Sequence, residues 1–177
     1  MSEINVFNAV SGFHETLAFK QQLEQTGTDF SERHGQVKTL IDQLHPKRLQ
    51  LQVKDILTET ATTKTIRFVA TSTKQLPAFQ AGQYINLFVN IDGVNTARPY
   101  AIASMPLELD FYDITVKKAD GGFVSHYLVD QLQVGQIIES SGPMGNFYHN
   151  PLFHGHELVF LAGGSGSVPA RSMLRDI

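Results

Sequence analysis

The chain has 177 residues, of which 42% are hydrophobic and 18% are charged, and its formal net charge is −3. These values are typical of a globular protein with one complete domain and a smaller additional unit. Lysine and arginine are scattered, which argues against a nucleic-acid-binding surface or a basic membrane-binding patch. The absence of cysteine excludes disulfides, thiolate zinc sites and cysteine-ligated iron–sulfur clusters held by this chain.

Targeting and membrane signals are absent from the sequence. No apolar run approaches the roughly 20 residues that a membrane-spanning helix needs. The N-terminal Met-Ser-Glu-Ile-Asn has neither the positive charge nor the apolar stretch of a secretory signal peptide. We therefore expect a cytoplasmic protein with no membrane partner, and the lack of cysteine agrees with a reducing compartment.

Residues 1–47 have a helical pattern. Between residues 12 and 27, apolar side chains recur at spacings close to a helical turn. Ser31 resembles an N-cap, and an apolar stripe over residues 37–44 ends before Pro46. This part of the chain is predicted to form a helical hairpin or an extended arm.

Residues 48–152 change to a strand pattern with β-branched side chains and glycine turns. The predicted strands are 48–57, 63–70, 83–91, 98–103, 110–117 and 136–140. One helix, 123–132, interrupts the series and places Val124, Tyr127, Leu128 and Leu132 on one face. The fold class predicted from this order is mainly β, a six-stranded antiparallel Greek-key-type barrel with one helix.

Residues 153–177 differ again. The run at 157–162 contains Leu-Val-Phe-Leu-Ala, which is typical of a strand buried on both faces of a parallel sheet. A glycine turn follows, and Pro169 is placed near the first turn of a helix that runs to the end. This β-α unit is the expected start of a nucleotide-binding domain. Without parallel neighbours its strand would be exposed, and we expect it to form a dimer contact or to pack against the barrel.

The segment Arg98-Pro99-Tyr100 carries the first chemical signal. A strand places Arg98 and Tyr100 on the same face, where the guanidinium can hold a phosphate and the ring can support a planar group. The alternative is an arginine at a sheet edge beside a tyrosine of the core.

A second signal is the turn Gly121-Gly122-Phe123-Val124-Ser125 at the start of the predicted helix. Backbone N–H groups at a helix N-terminus attract anions, and the Ser125 hydroxyl offers another donor. Alone, such a turn more often marks only a helix start, but here it follows Arg98 by one intervening strand.

Four motifs occur in order: Arg-Pro-Tyr-x-Ile-Ala-Ser from Arg98, Gly-Gly-Phe-Val-Ser-His-Tyr-Leu from Gly121, Gly-Pro-Met-Gly-Asn-Phe from Gly142, and Leu-Ala-Gly-Gly-Ser-Gly-Ser-Val-Pro from Leu161. Over roughly residues 48–177 this combination resembles the ferredoxin–NADP reductase family. The resemblance implies an antiparallel flavin-binding barrel followed by a parallel NAD(P)-binding domain, with hydride passing between nicotinamide and flavin.

The resemblance also implies site residues. Arg98 would hold the flavin pyrophosphate, Tyr100 would stack on the isoalloxazine ring, and the turn from Gly122 would cradle the phosphates. The implied flavin-binding residues are Arg98, Pro99, Tyr100, Ala101, Val116, Lys117, Lys118, Gly122, Phe123, Val124 and Ser125. The implied pyridine-nucleotide residues are Gly163, Gly164, Ser165 and Gly166. No catalytic residue and no metal ligand is assigned.

Ala101 departs from the family pattern, which usually has serine or threonine after the motif tyrosine, with a hydroxyl that bonds flavin N5. Its absence puts efficient hydride transfer in question, although the loss of about 1 kcal/mol leaves flavin binding intact. The turn that starts at Gly142 is interpreted as structural. FAD is favoured over FMN because family members with this arginine and phosphate turn mostly hold a dinucleotide.

Three functions are held against each other. The first is the FAD-binding domain of an NAD(P)H-dependent oxidoreductase that passes electrons to an acceptor such as a redox partner protein or domain, and is catalytically incomplete alone. The second is a flavin-binding electron-transfer or sensory module without its own nicotinamide site, which Ala101 favours. The third is a barrel that binds no cofactor and only supports an interaction. The co-occurrence of Arg98, Tyr100 and Ser125 argues against this third function.

Overall fold

In the computed structural model the described residues are 18–22, 25, 46–72, 75–149, 151–154 and 157–176. The chain divides into two compact units, Met1–Ile41 and Asp42–Ile177. In the first unit residues 18–22 and 25 are helical, within the helix predicted over 12–27. Ser31 and the predicted stripe at 37–44 lie outside the described residues.

The second unit contains a six-stranded antiparallel sheet with the order β4-β3-β6-β1-β2-β5. The strands are β1 (Leu49–Thr60), β2 (Thr63–Ala70), β3 (Tyr84–Ile91), β4 (Val94–Ala101), β5 (Tyr112–Lys117) and β6 (Ile137–Ser140). Because β6 lies between β3 and β1, the sheet has a Greek-key-type crossing. The prediction of six antiparallel strands is confirmed.

One strand begins earlier than predicted. Asp92 and Gly93 have φ angles of 51° and 83°, so they form a two-residue turn with both central residues in the left-handed region. Such a turn connects β3 to β4 directly, and the ladder starts at the pair Ile91–Val94. The predicted start at Arg98 is wrong because a tight turn forces its flanking residues to pair, whatever their strand propensity.

The sheet closes where its two end strands meet. Ile102, just after β4, forms an antiparallel bridge with Ile114 of β5, and both side chains are fully buried. We call this contact the closing bridge, and we call the part of the two strands beyond it, toward the start of β4, the β4–β5 seam. In the described residues no continuous ladder links β4 to β5.

The core lies inside this curved sheet. Its fully buried side chains are Leu51, Val53, Ile66, Phe68, Ile85, Leu87, Ile102, Tyr112, Ile114, Val116, Leu128 and Val129. Each contributes roughly 1.5–3 kcal/mol relative to an exposed position. Alternate residues of β1, β2, β3 and β5 supply most of the set, so the period-2 pattern of the sequence produced the core.

Helices are few and short. The predicted helix 123–132 is one α-helical turn, α1 (Phe123–His126), continued by a π-helical turn over Tyr127–Gln131. Val124, Leu128 and Leu132 are buried as the predicted helical face requires. Two further helices are α2 (Pro151–His154) and α3 (Ser167–Asp176). No helix in the described residues is long and apolar enough to cross a membrane.

The segment predicted as a buried parallel strand is not a strand. Residues 157–162 pair with no strand in the described chain, and Val159 and Leu161 are 87% and 96% exposed. The prediction is wrong because a parallel strand needs hydrogen-bonding neighbours on its flanks, and no described strand lies beside it. Phe160 packs back, edge-on against Phe147 at 5.8 Å between ring centroids. The dimer contact expected through this segment stays a prediction.

The helix after this segment does form, beginning at Ser167 rather than near Pro169. It lies on the barrel, because the fully buried Ser172 hydroxyl donates to the Ser104 carbonyl at 2.7 Å. Met173 is buried as well, and a Cβ atom at Gly82 would lie 2.4 Å from its methyl carbon. Helix α3 is therefore packed against Ser104, shortly after β4, and against Gly82, just before β3.

The turn that follows β6 is hydrogen-bonded to the start of β3. Tyr84 and Met144 exchange backbone hydrogen bonds of 2.9 Å in both directions. Gln83 Nε2 donates to the Gly145 carbonyl at 3.1 Å. Gly145 has a φ of +113°, and a Cβ atom there would lie 2.9 Å from the Tyr84 ring. These contacts give the turn the structural role predicted for it.

We expect Gly145→Ala to destabilise the barrel more than Gly93→Ala. Both glycines have positive φ, but a Cβ at Gly93 meets nothing within 4 Å. Gly93→Ala should therefore cost only the left-handed penalty of about 1–2 kcal/mol. Gly145→Ala should cost a further ~1–3 kcal/mol because the Tyr84 ring must move. Urea unfolding of both variants measures the difference, and equal losses would contradict the close contact.

Candidate functional site

Arg98 and Tyr100 lie on the same face of β4, as the sequence predicted. In the ladder with β3 they are opposite Leu87 and Ile85, which are core residues. Tyr100 is half-buried and packs against the core. Burial raises the pKa of the Tyr100 phenol, and the nearby positive charge of Arg98 opposes this. The two side chains are therefore neighbours at the edge of the core.

The guanidinium of Arg98 is exposed and has no acidic partner. Its Nη1 donates to the Thr96 hydroxyl at 3.2 Å and to the Ala97 carbonyl at 2.7 Å. Within the described part of the chain, no carboxylate forms an ion pair with it. By contrast, Arg67 of β2 donates two bonds, of 2.8 and 2.9 Å, to Asp113. Arg98 is thus held in place with its charge available to an anion.

The antiparallel register aligns these residues with the end of β5. Beyond the closing bridge, Tyr100 and Arg98 follow β4 on one side of the seam, and Val116 and Lys117 follow β5 on the other. Val116 is buried in the core and Lys117 is exposed. The two strands that carry these predicted residues thus meet at the closing bridge.

Backbone directions show why the seam stays open. The N–H and carbonyl of Asn86 both bond to Ser141, so Asn86 and Pro99 form a non-hydrogen-bonded pair. The nitrogen of Pro99 therefore faces β5, where it has no hydrogen to donate. The next such pair is Tyr84 and Ala101. The N–H and carbonyl of Tyr84 both bond to Met144, so the backbone N–H of Ala101 points away from β3 and into the seam.

The glycine turn lies directly after β5. Gly121 has a φ of +67°, and a Cβ atom at Gly122 would lie 2.4 Å from the Ser125 hydroxyl oxygen. Gly122 is the N-cap of α1, with no side-chain hydrogen bond to the first turn. The N–H groups of Phe123, Val124 and Ser125 have no intrahelical acceptor, because the carbonyls four residues earlier precede the helix. These N–H groups are the ones that the sequence predicted to bind an anion, and that role stays a prediction.

The Ser125 hydroxyl has another task. It donates to the Gly122 carbonyl at 3.2 Å and accepts from the Ala119 N–H at 3.1 Å. Its proton is directed to the Gly122 carbonyl in this structure, so Ser125 shapes the turn. The sequence predicted a hydroxyl donor because a motif does not show which way a serine turns.

Two residues near the turn were missed. His126 Nε2 lies 3.1 Å from the Ala119 carbonyl, and Asp130 accepts both of its bonds from Lys118 Nζ, at 3.1 Å each. The i,i+4 spacing of a histidine and an aspartate on the predicted helix was a signal that could have found them. Lys118 is therefore ion-paired rather than unpaired like Arg98.

The turn at Gly163–Gly166 is exposed and has open space around its glycines. Residues Gly164–Gly166 form a short 3₁₀ turn, and the Ser167 hydroxyl donates to the Gly164 carbonyl at 2.8 Å. Cβ atoms at Gly163, Gly164 and Gly166 would meet nothing within 4 Å. Gly163, Gly164, Ser165 and Gly166 are all exposed. Their pyridine-nucleotide role stays a prediction.

The histidines near the C-terminus form a pair. The rings of His149 and His154 have centroids 5.9 Å apart, while His156 lies outside the described residues. The described residues include no group of three or more histidine or acidic side chains placed to hold a metal ion.

Comparison with known proteins identifies the barrel. The family model for the oxidoreductase FAD-binding domain matches residues 48–149. The chain belongs to this family. The match covers the predicted barrel, and it confirms the expectation of a flavin-binding fold with FAD as the cofactor.

Individual relatives agree with this assignment. The chain is 37% identical over 99 residues to the reductase component of phenol 2-monooxygenase from Pseudomonas sp. (strain CF600), covering 56% of this chain and 27% of that protein. It is 39% identical over 97 residues to ferredoxin–NADP reductase B of Sorangium cellulosum (strain So ce56), covering 55% of this chain and 39% of that protein. The resemblance to ferredoxin–NADP reductases is confirmed. The chain spans well under half the length of either relative.

A solved structure shows the same fold. The crystal structure of an Amycolatopsis cytochrome P450 reductase superposes with a TM-score of 0.66 at 28% identity, over 74% of this chain and 39% of that one. The match again covers only part of the reductase.

The residues of the seam fit an FAD group. Arg98 presents a cation with no carboxylate partner in the described residues, and Gly122 leaves no room for a side chain where the turn approaches Ser125. The first turn of α1 adds N–H donors, and Tyr100 adds a half-buried ring. A cation, an amide cradle and a flat aromatic face are the groups that a flavin dinucleotide requires.

We expect Ser125→Ala to loosen the glycine turn while the barrel stays folded. The substitution removes the acceptor of the Ala119 N–H and should cost about 1 kcal/mol. Hydrogen exchange should accelerate at the Ala119 amide. Ser167→Ala is the matched control. The Ser167 hydroxyl also donates to the carbonyl three residues earlier, but no backbone N–H of the described residues donates to it. An unchanged exchange rate at the Ala119 amide would show that the Ser125 hydroxyl does not hold the turn in place.

Proposed function

We propose that the chain binds FAD in the β4–β5 seam and serves an NAD(P)H-dependent oxidoreductase, in which electrons pass from nicotinamide through the flavin to an acceptor. The observation that carries the proposal is the unpaired Arg98 on one side of the seam with the glycine turn and the α1 N-terminus following the other. The family match to an oxidoreductase FAD-binding domain supports it.

The two anion-binding groups favour a pyrophosphate. Arg98 belongs to β4, and the amides from Phe123 to Ser125 follow β5, so each strand contributes one group. A guanidinium binds phosphate oxygens in two directions at once, and a helix N-terminus stabilises negative charge by about 0.3–1 kcal/mol or more. Arg98 and this turn therefore orient a dinucleotide from two sides.

Tyr100 and Ala101 would define the flavin end of the site. The half-buried ring of Tyr100 offers an apolar face that excludes water from one side of a planar group. The N–H of Ala101 points into the seam, so the backbone supplies a donor at a position where the side chain supplies none. FAD, when bound, accepts a hydride and releases electrons singly.

The acceptor is proposed to be a separate protein or domain. The chain has no cysteine, so it holds no cysteine-ligated iron–sulfur cluster to receive electrons. The relative named as the reductase component of phenol 2-monooxygenase supports an oxygenase-type redox partner. A cytoplasmic location is proposed together with such a partner.

A second function is favoured by one observation. The turn at Gly163–Gly166 is exposed, and Cβ atoms at Gly163, Gly164 and Gly166 would meet nothing within 4 Å, so the described residues show no enclosed nicotinamide site there. A flavin-binding electron-transfer or sensory module would need no such site. Reduction of the bound flavin by NADH or NADPH distinguishes the two: reduction supports the oxidoreductase, and inertness toward both favours the module.

The visible absorption spectrum of the purified chain tests the cofactor directly. Flavin bands, with FAD identified by chromatography after heat release, are the expected result. A chain that stays colourless after incubation with FAD and with FMN would overturn the proposal.

We expect Arg98→Ala to weaken FAD binding by roughly 1.5–3 kcal/mol, the usual value of hydrogen bonds to charged groups. Titration of the cofactor-free chain with FAD, followed by flavin fluorescence, measures the loss. Arg175→Ala is the matched control, since Arg175 is an exposed arginine in α3. A titration curve for Arg98→Ala that overlays the wild-type curve would remove Arg98 from the site.

We expect Ala101→Ser to tighten FAD binding by about 1 kcal/mol, because a hydroxyl is added beside the backbone donor. It should also shift the absorption maxima of the bound flavin and speed flavin reduction. Ala97→Ser is the matched control on the same strand, four residues earlier and on the same face. Spectra and affinities that are equal for Ala101→Ser and Ala97→Ser would show that position 101 does not contact the flavin.

A further inference from the structure

Helix α3 contacts the barrel through a buried hydrogen bond as well as through apolar side chains. The Ser172 hydroxyl donates to the Ser104 carbonyl at 2.7 Å, and both residues are 0% exposed. Burial of apolar surface favours contact without fixing its geometry, whereas a hydrogen bond requires a particular distance and angle. The bond from Ser172 therefore determines where the helix lies on the barrel.

Ser104 belongs to a part of the barrel that is itself hydrogen-bonded to β5. Its hydroxyl accepts the Asp113 N–H at 3.3 Å, and the N–H of Ala103 donates to the Asp113 carbonyl at 2.7 Å. The Asp113 carboxylate, in turn, accepts two hydrogen bonds from Arg67 of β2. The carbonyl that receives Ser172 is thus held by two strands, two residues after the closing bridge.

The residues on either side of Ser172 determine how the helix is rotated. Met173 is 4% exposed, and its methyl carbon lies 2.4 Å from the position of a Cβ atom at Gly82. Arg171 Nη1 lies 4.0 Å from a carboxylate oxygen of Glu59, at the end of β1. This ion pair is partly exposed and contributes little energy, so the buried contacts of Ser172 and Met173 determine the orientation.

The glycine turn that precedes α3 is carried by this docked helix. Residues Gly164–Gly166 lie within 8 Å of β5, measured between Cα atoms, and the helix begins at the next residue, Ser167. The Ser167 hydroxyl donates to the Gly164 carbonyl at 2.8 Å, which joins the turn to the helix. The same strand, β5, precedes the turn at Gly121–Gly122. One strand therefore lies beside the turn predicted for NAD(P)H and leads to the turn predicted for FAD.

We propose that Ser172 is a positioning residue for NAD(P)H: its bond to Ser104 docks α3 on the barrel and thereby holds the Gly163–Gly166 turn beside β5. The proposal rests on the proposed function, in which NAD(P)H reduces FAD in the β4–β5 seam. Ser172 is fully buried between helix and barrel, so it acts through the turn rather than by contact with a nucleotide. Hydride transfer depends on such placement, because a displacement of about 1 Å can lower a rate about 100-fold.

The position of the turn can be measured without a cofactor. The chain has no cysteine, so Ser165→Cys provides a single attachment site for a nitroxide label in the exposed turn. The label should broaden the amide resonances of β5, because the turn lies beside that strand. With Ser172→Ala added, most of this broadening should be lost, since the helix is no longer held at Ser104.

Ser140→Ala is the matched control for the label experiment. Ser140 is also 0% exposed, and its hydroxyl also donates to a backbone carbonyl, that of Ser141, at 2.9 Å. It lies at the end of β6, between β1 and β3, and makes no recorded contact with α3. The Ser140→Ala variant should therefore keep the broadening at β5. Equal broadening in Ser172→Ala and Ser140→Ala would overturn the inference.

Kinetics of the FAD-loaded chain separate positioning from cofactor binding. Ser172→Ala should bind FAD with the wild-type affinity, because the substitution lies outside the seam. The limiting rate of flavin reduction by NADH or NADPH, measured by stopped flow, should fall about tenfold or more in this variant and stay unchanged in Ser140→Ala. An unchanged limiting rate in Ser172→Ala would overturn the positioning role and leave the proposed function intact.

The failure of the proposed function gives a different result. A wild-type chain that binds no FAD, or whose bound FAD is reduced by neither nucleotide, would refute the oxidoreductase. The label experiment then tests the docking of the turn by itself. A loss of broadening confined to Ser172→Ala supports the docking, and retained broadening overturns it.

Discussion

The closing bridge between Ile102 and Ile114 is the contact on which the site depends. It joins the two end strands of the sheet through fully buried residues, and it fixes the register of β4 against β5. Three residues before Ile102, Pro99 turns a nitrogen without a hydrogen toward β5, so the ladder cannot continue. The segment from β4 to Ile102 therefore closes the barrel at the Ile102–Ile114 bridge and leaves it open along the β4–β5 seam. Arg98 and Tyr100 lie in the open part.

Much of this arrangement is local, and local features can be predicted from sequence. Five of the six strands were predicted with their ends close to the observed ones because alternation of apolar residues determines which face is buried. Val94–Ala101 was predicted too short, since its first residues pair through the tight turn that Asp92 and Gly93 make. Arg98 and Tyr100 were predicted correctly to share one face of a strand. The bonds that Ser125 and His126 make to the backbone of Ala119 depend on the exact path of the turn, which the sequence does not reveal.

The segment at 157–162 shows the limit of reading hydrophobicity alone. An apolar run indicates a buried strand only if other strands lie beside it, and burial is a property of the pair rather than of the run. Here Val159 and Leu161 are almost fully exposed, although their sequence is the most apolar of the region. Helix α3, with a more mixed sequence, is the element that packs, because Ser172 and Met173 find partners on the barrel.

The arginines of the barrel show how a cross-strand neighbour decides the role of a charge. Arg67 lies opposite Asp113 in the β2–β5 ladder, pairs with it, and stacks its guanidinium 3.7 Å from the centroid of the Phe111 ring. Arg98 lies opposite Leu87, which offers nothing to a cation. A guanidinium at the edge of a core, without a counter-ion, is stabilised when an anion arrives. An acidic residue opposite Arg98 would give a structural pair, and leucine there leaves the charge for a ligand.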